Sequence, residues 1–244
     1  MIVHADDFGI TLAQAQSLLA LSKASDKSNP LSSVSIFANS PVFYDSAKLL
    51  HPSVENKTMK VSLHLNLVEG APCTAPGKIP LLIGERKTFC HSFIGLLQMS
   101  LGPRRSALYQ QIVQEFDAQI KTFLRVFPEQ QHSLRIDSHQ HTHMIPLVFD
   151  ALQETIQINN CTLEHVRIPV EDLTLYAQFG LKHMIPWQNR LKNSVLSYLS
   201  RHAKKQLSNR NITSSFCGIA FSGSMYQMTP ESVSYTHLTL PTIA

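Results

Sequence analysis

The chain has 244 residues, which is the size of one ordinary domain or of one α/β barrel. Hydrophobic residues make up 43% of it and charged residues 16%, so the composition excludes a disordered protein and a coiled coil. The formal net charge of +4 is small and scattered along the chain, which argues against a nucleic-acid partner.

Strand-like and helix-like patterns alternate along the chain. In chain order, we predict a strand over 1–5, a helix over 12–24, a strand over 33–39, a helix that follows Pro41, a strand over 60–67, a helix over 105–127, a strand over 134–143, a helix over 147–158, a strand over 165–168, a helix over 187–207 and a strand over 216–221. This alternation favours right-handed crossovers and a parallel sheet, either open or closed into a barrel.

The segment 68–103 is rich in proline and glycine and is long for a plain connection. Connections of this length are typical of lids or binding loops. We expect its apolar side chains to pack either on a sugar face or on a second subunit, and these side chains are Phe89, Phe93 and Leu96.

Membrane segments and cysteine motifs are not apparent in the sequence. No apolar run approaches the ~18 residues of a membrane span, and Asp6 and Asp7 interrupt the N-terminus before a signal-peptide core could form. The 4 cysteines lack CxxC spacing and fit buried thiols better than a zinc knuckle or a disulfide framework. We expect a cytoplasmic protein without a membrane partner.

Three predicted strands end in polar segments, namely ADDFG at 5–9, SLHLNL at 62–67 and DSHQHTH at 137–143. In parallel α/β folds the carboxyl ends of the strands form the ligand site. Aspartate and histidine side chains from three such strands would make a site for one divalent ion, with magnesium, zinc and manganese all compatible. Taken singly, His64 is more often an ordinary hydrogen-bonded residue, and Asp6 with Asp7 is more often a loop or helix cap.

The histidine-rich run is the more specific signal. Asp137, His139, His141 and His143 share one parity, so they face one side if the strand continues through them. Burying four polar groups on one face in an apolar core would be unfavourable, so this pattern favours a functional site. Of two adjacent aspartates, one can bind a metal ion while the other accepts a proton from water, and this combination suits metal-assisted hydrolysis.

The motifs VHADDFG, SVSIFANSPVF, SLHLNLVEGAP and RIDSHQHTHMIP, in this order over residues 1–169, resemble the YdjC-like carbohydrate deacetylase family, which includes chitooligosaccharide deacetylases. The resemblance implies a TIM-barrel-like α/β fold, one divalent metal ion and removal of the N-acetyl group from an acetylated oligosaccharide. Carried over by motif, Asp7, His64 and His139 would bind the metal, and Asp6 would be the general base. A homodimer would be ordinary for such a protein.

The remaining site candidates have two interpretations each. His141 and His143 fit either the pocket lining or hydrogen bonding in the core. Asn39 fits either a bond to a sugar hydroxyl or a turn cap before Pro41. Arg167 fits either substrate binding or an ion pair.

Two other functions use the same residues. A metal-dependent phosphoesterase would need a similar Asp/His set, although the sequence offers no glycine-rich phosphate cradle. A catalytically impaired sugar- or metal-binding protein is the other alternative, because the chain lacks the His-Pro segment that the family tends to carry on a late strand.

The last residues resemble a translated adapter sequence. We therefore expect one deacetylase-like domain over 1–233, a non-native tail over 234–244, and a barrel that is incomplete at its C-terminal end.

Overall fold

The computed structural model describes residues 2–23, 31–178, 180–208, 213 and 216–223. The strands are β1 (Val3–Phe8), β2 (Leu31–Ile36), β3 (Lys60–Leu65), β4 (Leu134–Ser138) and β5 (Leu163–Val166). The helices are α1 (Leu12–Lys23), α2 (Phe43–Glu55), α3 (Phe93–Ser100), α4 (Arg105–Leu124), α5 (Pro146–Ile158), α6 (Leu173–Gln178) and α7 (Trp187–Leu207). Four short 3-10 segments cover Pro76–Lys78, Pro128–His132, His139–Met144 and Lys182–Met184.

The five strands form one sheet in the order β1-β2-β3-β4-β5, and every neighbouring pair is parallel. At least one helix connects each strand to the next, so the sheet grows in one direction, as in a (β/α) barrel. Within the described residues β1 and β5 remain edges and the sheet is open. The predicted α/β fold with TIM-barrel-like strand order is therefore confirmed, and the barrel is not closed.

The two faces of the sheet differ in chemistry because side chains alternate along each strand. One face is apolar, and α4 packs on β3 there through residues spaced three or four apart. The opposite face is polar and is nevertheless buried. Its side chains include Ser33, Ser35, Ser62, His64, Arg135 and Asp137. Buried polar groups need partners, so this face must hold a hydrogen-bonded network.

The described residues between 2 and 166 form one compact unit, and the described residues from Arg167 onward form a second. In the second unit Tyr176, Ile185, Ala220 and Phe221 form a small apolar core. The carboxylate of Glu171 accepts backbone N–H groups from residues 218–220. None of the helices among the described residues is long and apolar enough to cross a membrane.

Two strand predictions are wrong. The strand predicted over 134–143 ends at Ser138, because Gln140 and His141 adopt φ of 51° and 60° and turn the chain into a 3-10 segment. The residues predicted as a strand over 216–221 have no strand pairing, and the N–H groups of residues 218–220 bond to Glu171 instead. By contrast, α7 has the predicted bounds, and the remaining differences in element ends are a few residues.

The long connection 68–103 contains regular structure and buried side chains, although its proline and glycine content is typical of a loop. It contains α3 and a bridge between Ile83 and Phe89. Phe89 and Leu96 are buried in the core, so the prediction that they offer a surface to a sugar or a second subunit is wrong. Phe93 is half-buried. The predicted tail over 234–244 lies outside the described residues.

One buried residue of α4 fixes the start of this connection. Glu115 is fully buried, and its carboxylate accepts the backbone N–H groups of Cys73 and Thr74, both at 2.9 Å. Gln119, one turn later, donates to Glu115 and to the carbonyl of Asn66, and accepts the Asn66 N–H. The segment that follows β3 is therefore tied to α4 beside the polar end of the sheet.

Candidate active site

A β-bulge at the end of β1 places the two aspartates. Ala5 pairs with Val34 and Phe8 pairs with Ile36, so β1 holds one residue more than β2 over this stretch. Asp7 has a φ of 59°, in the left-handed region that only a few residue types tolerate. In a regular strand neighbouring side chains would point to opposite faces, whereas the bulge lets Asp6 and Asp7 both contact the polar face.

Asp7 meets two histidines from other strands. Its Oδ1 lies 3.0 Å from Nε2 of His64, on β3, and 3.0 Å from Nδ1 of His139, directly after β4. One ligand atom from each of the three residues lies within 4.8 Å of the other two. Two ligand atoms bound to a single ion at ~2.0 to 2.2 Å lie at most ~4.4 Å apart. The two contacts of Asp7 at 3.0 Å satisfy this requirement. One carboxylate and two imidazoles also form a donor set that zinc and manganese accept readily.

An aromatic side chain closes one side of this cluster. The ring of Phe37 is buried and contacts the rings of His64 and His139 edge-on, with centroid distances of 4.8 Å and 5.3 Å. An apolar wall against the two imidazoles lowers the local dielectric and restricts their rotation.

A second group of polar side chains lies beside the first. Nε2 of His4 is 3.3 Å from Oδ1 of Asp6 and 3.4 Å from Oδ2 of Asp137. The hydroxyl of Ser35 lies within 3.1 Å of the His4 ring, 3.0 Å of His64 Nδ1 and 3.4 Å of Asp6 Oδ1. The two groups are therefore joined through His64 and Ser35 into one hydrogen-bonded network.

Charge in this network shifts two pKa values in opposite directions. Burial raises the pKa of Asp7, but the hydrogen bonds and charges of His139 and His64 outweigh it and hold that pKa well below its usual range. Burial lowers the pKa of His64, but the carboxylates of Asp137, Asp7 and Asp6 outweigh it and raise that pKa to about 9. Without a metal ion, an ionised Asp7 thus faces a protonated His64.

Two other predicted site residues, Asn39 and His143, have hydrogen-bond partners of their own. Asn39 donates to the backbone carbonyls of Glu69 and Ala71, so its side chain ties down the segment after β3. His143 is fully buried with Nδ1 2.5 Å from the hydroxyl of Ser138.

The last two candidates are placed differently. His141 is buried in the left-handed turn after β4 and is not one of the three candidate ligands around Asp7. Arg167 belongs to the second unit, where its guanidinium lies 5.1 Å from the centre of the Phe216 ring.

The sequence analysis placed Asp137 on the polar face by parity but gave it no role, and it did not single out His4, Ser35 or Glu69. His4 precedes Asp6 by two residues, and Asp137 precedes His139 by two, so strand parity was the available signal for both. Ser35 gave no signal, because a serine in a strand is unremarkable. Glu69, whose carboxylate lies 3.5 Å from Nε2 of His139, belongs to the connection after β3, where no strand pattern pointed to it.

Fold and cluster together define an α/β protein with a candidate metal centre at the carboxyl edge of its parallel sheet. A family model described as YdjC-like protein matches residues 1–242. The chain therefore belongs to the YdjC-like family, and the resemblance of its motifs to that family is confirmed.

Curated relatives carry deacetylase names. The chain is 27% identical over 153 residues to a chitooligosaccharide deacetylase of Yersinia enterocolitica, covering 63% of this chain and 54% of the relative. It is 27% identical over 143 residues to a carbohydrate deacetylase of Enterococcus faecalis, covering 59% and 49%. It is 23% identical over 196 residues to a carbohydrate deacetylase of Danio rerio, covering 80% and 58%. The chain thus spans about half the length of the curated relatives it matches.

A solved structure supports the fold. The crystal structure of an Enterococcus faecalis protein, described as a candidate cellobiose-phosphate cleavage protein, aligns with a TM-score of 0.53 at 23% identity. The alignment covers 68% of this chain and 57% of that chain. At this identity the likeness shows the fold alone.

Proposed function

We propose that this protein is a metal-dependent hydrolase that removes the N-acetyl group from an acetylated amino sugar or chitooligosaccharide. The observation that carries the proposal is the Asp7–His64–His139 cluster with Asp6 directly beside it, at the carboxyl edge of the sheet. Family membership and the deacetylase names of the relatives support the choice of an amide of an amino sugar as substrate.

The cluster fits one divalent ion by donor type and by spacing. Asp7, His64 and His139 would hold it, with zinc, manganese and magnesium as candidates. Three protein ligands leave coordination positions open, which is typical of catalytic rather than structural sites. A bound divalent ion would act as a Lewis acid on the acetyl carbonyl and lower the pKa of water.

Asp6 is the residue we assign to proton transfer. It neighbours Asp7, is partly exposed, and has one carboxylate oxygen near His4 and Ser35. These contacts orient the carboxylate, and an oriented carboxylate can accept a proton from the attacking water. The overall reaction consumes one water per amide bond and yields acetate and a free amine.

Acetate release from N,N′-diacetylchitobiose tests the proposal. We expect release by protein loaded with zinc, manganese or magnesium, and loss of release with chelator. The exposed Asp45, at the first turn of α2, provides a matched control, since Asp45→Asn removes one aspartate charge away from the cluster. Release that persists with chelator would contradict the metal dependence.

The same preparation separates the two alternatives. Calorimetric sugar binding without acetate release from any N-acetylated sugar would favour a catalytically impaired binding protein. Release of phosphate from a generic phosphoester, without acetate release, would favour a phosphoesterase.

A further inference from the structure

We propose that Asp137 is a positioning residue, which holds His64 in the one tautomer and ring orientation that directs Nε2 to Asp7 and to the ion between them. This inference rests on the proposed metal site. It assigns a function to a buried carboxylate that is not one of the three candidate ligands around Asp7.

The contact between Asp137 and His64 is short and buried. Oδ1 of Asp137 lies 2.5 Å from Nδ1 of His64, and the two side chains are only 3% and 2% exposed. The backbone enforces this contact, because His64 on β3 and Asp137 on β4 are partners in the parallel register. Side chains at paired positions share a face, so neither needs a special backbone conformation to reach the other.

This contact decides which nitrogen of His64 can bind a metal ion. An ionised Asp137 only accepts hydrogen bonds, so Nδ1 of His64 carries the proton and donates it. In the neutral imidazole Nε2 then has the free lone pair, and Nε2 is the atom 3.0 Å from Asp7. A carboxylate behind a ligating histidine also raises the basicity of the ligand.

An asparagine at position 137 would weaken this arrangement in two ways. Its amide carbonyl can still accept the Nδ1 proton, but without the negative charge. Alternatively its NH₂ group can donate to Nδ1, and the proton of the neutral ring then moves to Nε2, which can no longer bind a metal ion.

The second histidine provides a natural comparison. His139 turns Nδ1 to Asp7, while its Nε2 lies 3.5 Å from Oε1 of Glu69. The pattern is the same as for His64, but Glu69 is 68% exposed and its distance is longer. Water and salt screen such a contact, so Glu69 should contribute little to metal affinity.

A competing interpretation makes Asp137 a ligand itself. One atom each of His4, Asp6 and Asp137 lie within 4.8 Å of one another, which is compatible with a second ion. The two interpretations differ in the number of ions bound per chain, and this number can be measured.

Zinc affinity of the full chain, measured by competition with a chromophoric chelator, tests the proposal with Asp137→Asn and Glu69→Gln as the matched pair. We expect one zinc ion per chain, a loss of roughly 10- to 100-fold in affinity for Asp137→Asn, and a loss of less than about fivefold for Glu69→Gln. Equal losses for the two variants would overturn it. The proposal would also be overturned if the wild type bound two zinc ions per chain while Asp137→Asn bound only one, with unchanged affinity.

A measurement on the wild type covers the case in which Asp137→Asn does not fold. Long-range ¹⁵N–¹H spectra of the zinc-loaded protein report which nitrogen of each imidazole carries the proton. We expect His64 with a protonated Nδ1 and a zinc-bound Nε2, and the reverse assignment would overturn the proposal. Neither measurement depends on acetate release, so a failed deacetylase assay leaves this result intact, whereas a wild type that binds neither zinc nor manganese nor magnesium would overturn both proposals.

Discussion

Oδ1 of Asp7 lies 3.0 Å from Nδ1 of His139, although 132 residues separate them in the chain. The contact joins the first strand of the sheet to the segment after the fourth, across β2 and β3. His64, on β3, completes the cluster from between them. Three elements must therefore be in place before a metal ion can bind, and binding should stabilise their assembly.

The two aspartates should respond differently to substitution. Asp7→Ala removes a proposed ligand, so we expect loss of both zinc binding and acetate release. Asp6→Asn removes the proton acceptor and keeps a polar group of the same size, so zinc binding should persist while kcat falls by roughly 10²- to 10⁴-fold. Zinc titration and acetate release on each variant measure the two effects. If Asp6→Asn loses zinc and Asp7→Asn keeps it, the roles must be exchanged.

The stability of the metal-free protein should depend on pH through His64. Its folded pKa of about 9 lies above the usual histidine pKa of 6.5, so the folded state holds a proton that the unfolded state has released between these pH values. The stabilisation is fully present below about pH 6.5 and is lost as the pH rises to about 9. Urea unfolding of metal-free protein at several pH values measures it, and His64→Gln should remove this part of the dependence.

Zinc binding should show the opposite trend with pH. The ion must displace the proton of His64, so affinity should rise by about tenfold per pH unit until the pH reaches the pKa of about 9. A zinc affinity independent of pH over this range would exclude His64 as a ligand.

His143 should contribute to stability rather than to metal binding. It is fully buried and contacts the hydroxyl of Ser138 at 2.5 Å. His143→Ala leaves a cavity and a buried hydroxyl without this partner, so we expect the free energy of unfolding to fall by about 2 to 4 kcal/mol. Zinc affinity should stay close to that of the wild type. The exposed His132 is the control, since His132→Ala should change stability by less than about 0.5 kcal/mol.

Glu115 should be needed for the ordered connection after β3. Its carboxylate accepts the N–H groups of Cys73 and Thr74, one on each oxygen. In Glu115→Gln one oxygen becomes an NH₂ group that faces an N–H donor, so we expect a loss of about 1 to 3 kcal/mol in the free energy of unfolding. Urea denaturation measures the loss, with Glu129→Gln on the exposed surface as control. Equal stability of the two variants would show that the connection holds without Glu115.

Local patterns predicted the elements whose ends carry strong signals. The helix predicted over 187–207 matches α7 in both bounds, and α5 begins at Pro146, where a proline favours the first helical turn. The strand-end rule also singled out the three polar segments that contain Asp7, His64 and His139. The family resemblance selected these three residues, and the structure places them together. Their role as metal ligands stays a prediction.

Long-range pairing decided what local patterns could not. The alternating polar residues after β4 looked like a continued strand, because nothing local shows that Gln140 and His141 adopt positive φ. The contact between His64 and Asp137 depends on the register of β3 against β4, which neither strand specifies alone. Likewise, residues 216–221 resemble a strand in their apolar pattern, but the distant Glu171 binds the N–H groups of residues 218–220.

The pairing of His64 with Asp137 also makes the site sensitive to errors in folding. A slip of β4 by one residue would turn Asp137 to the apolar face and bring Ile136 or Ser138 opposite His64. The same slip would bury a carboxylate against α4 and its neighbours, so a mispaired chain would lose its core and its polar network at once. The number of zinc ions bound tightly per chain would therefore report the fraction of molecules in a preparation whose strands are paired in the correct register.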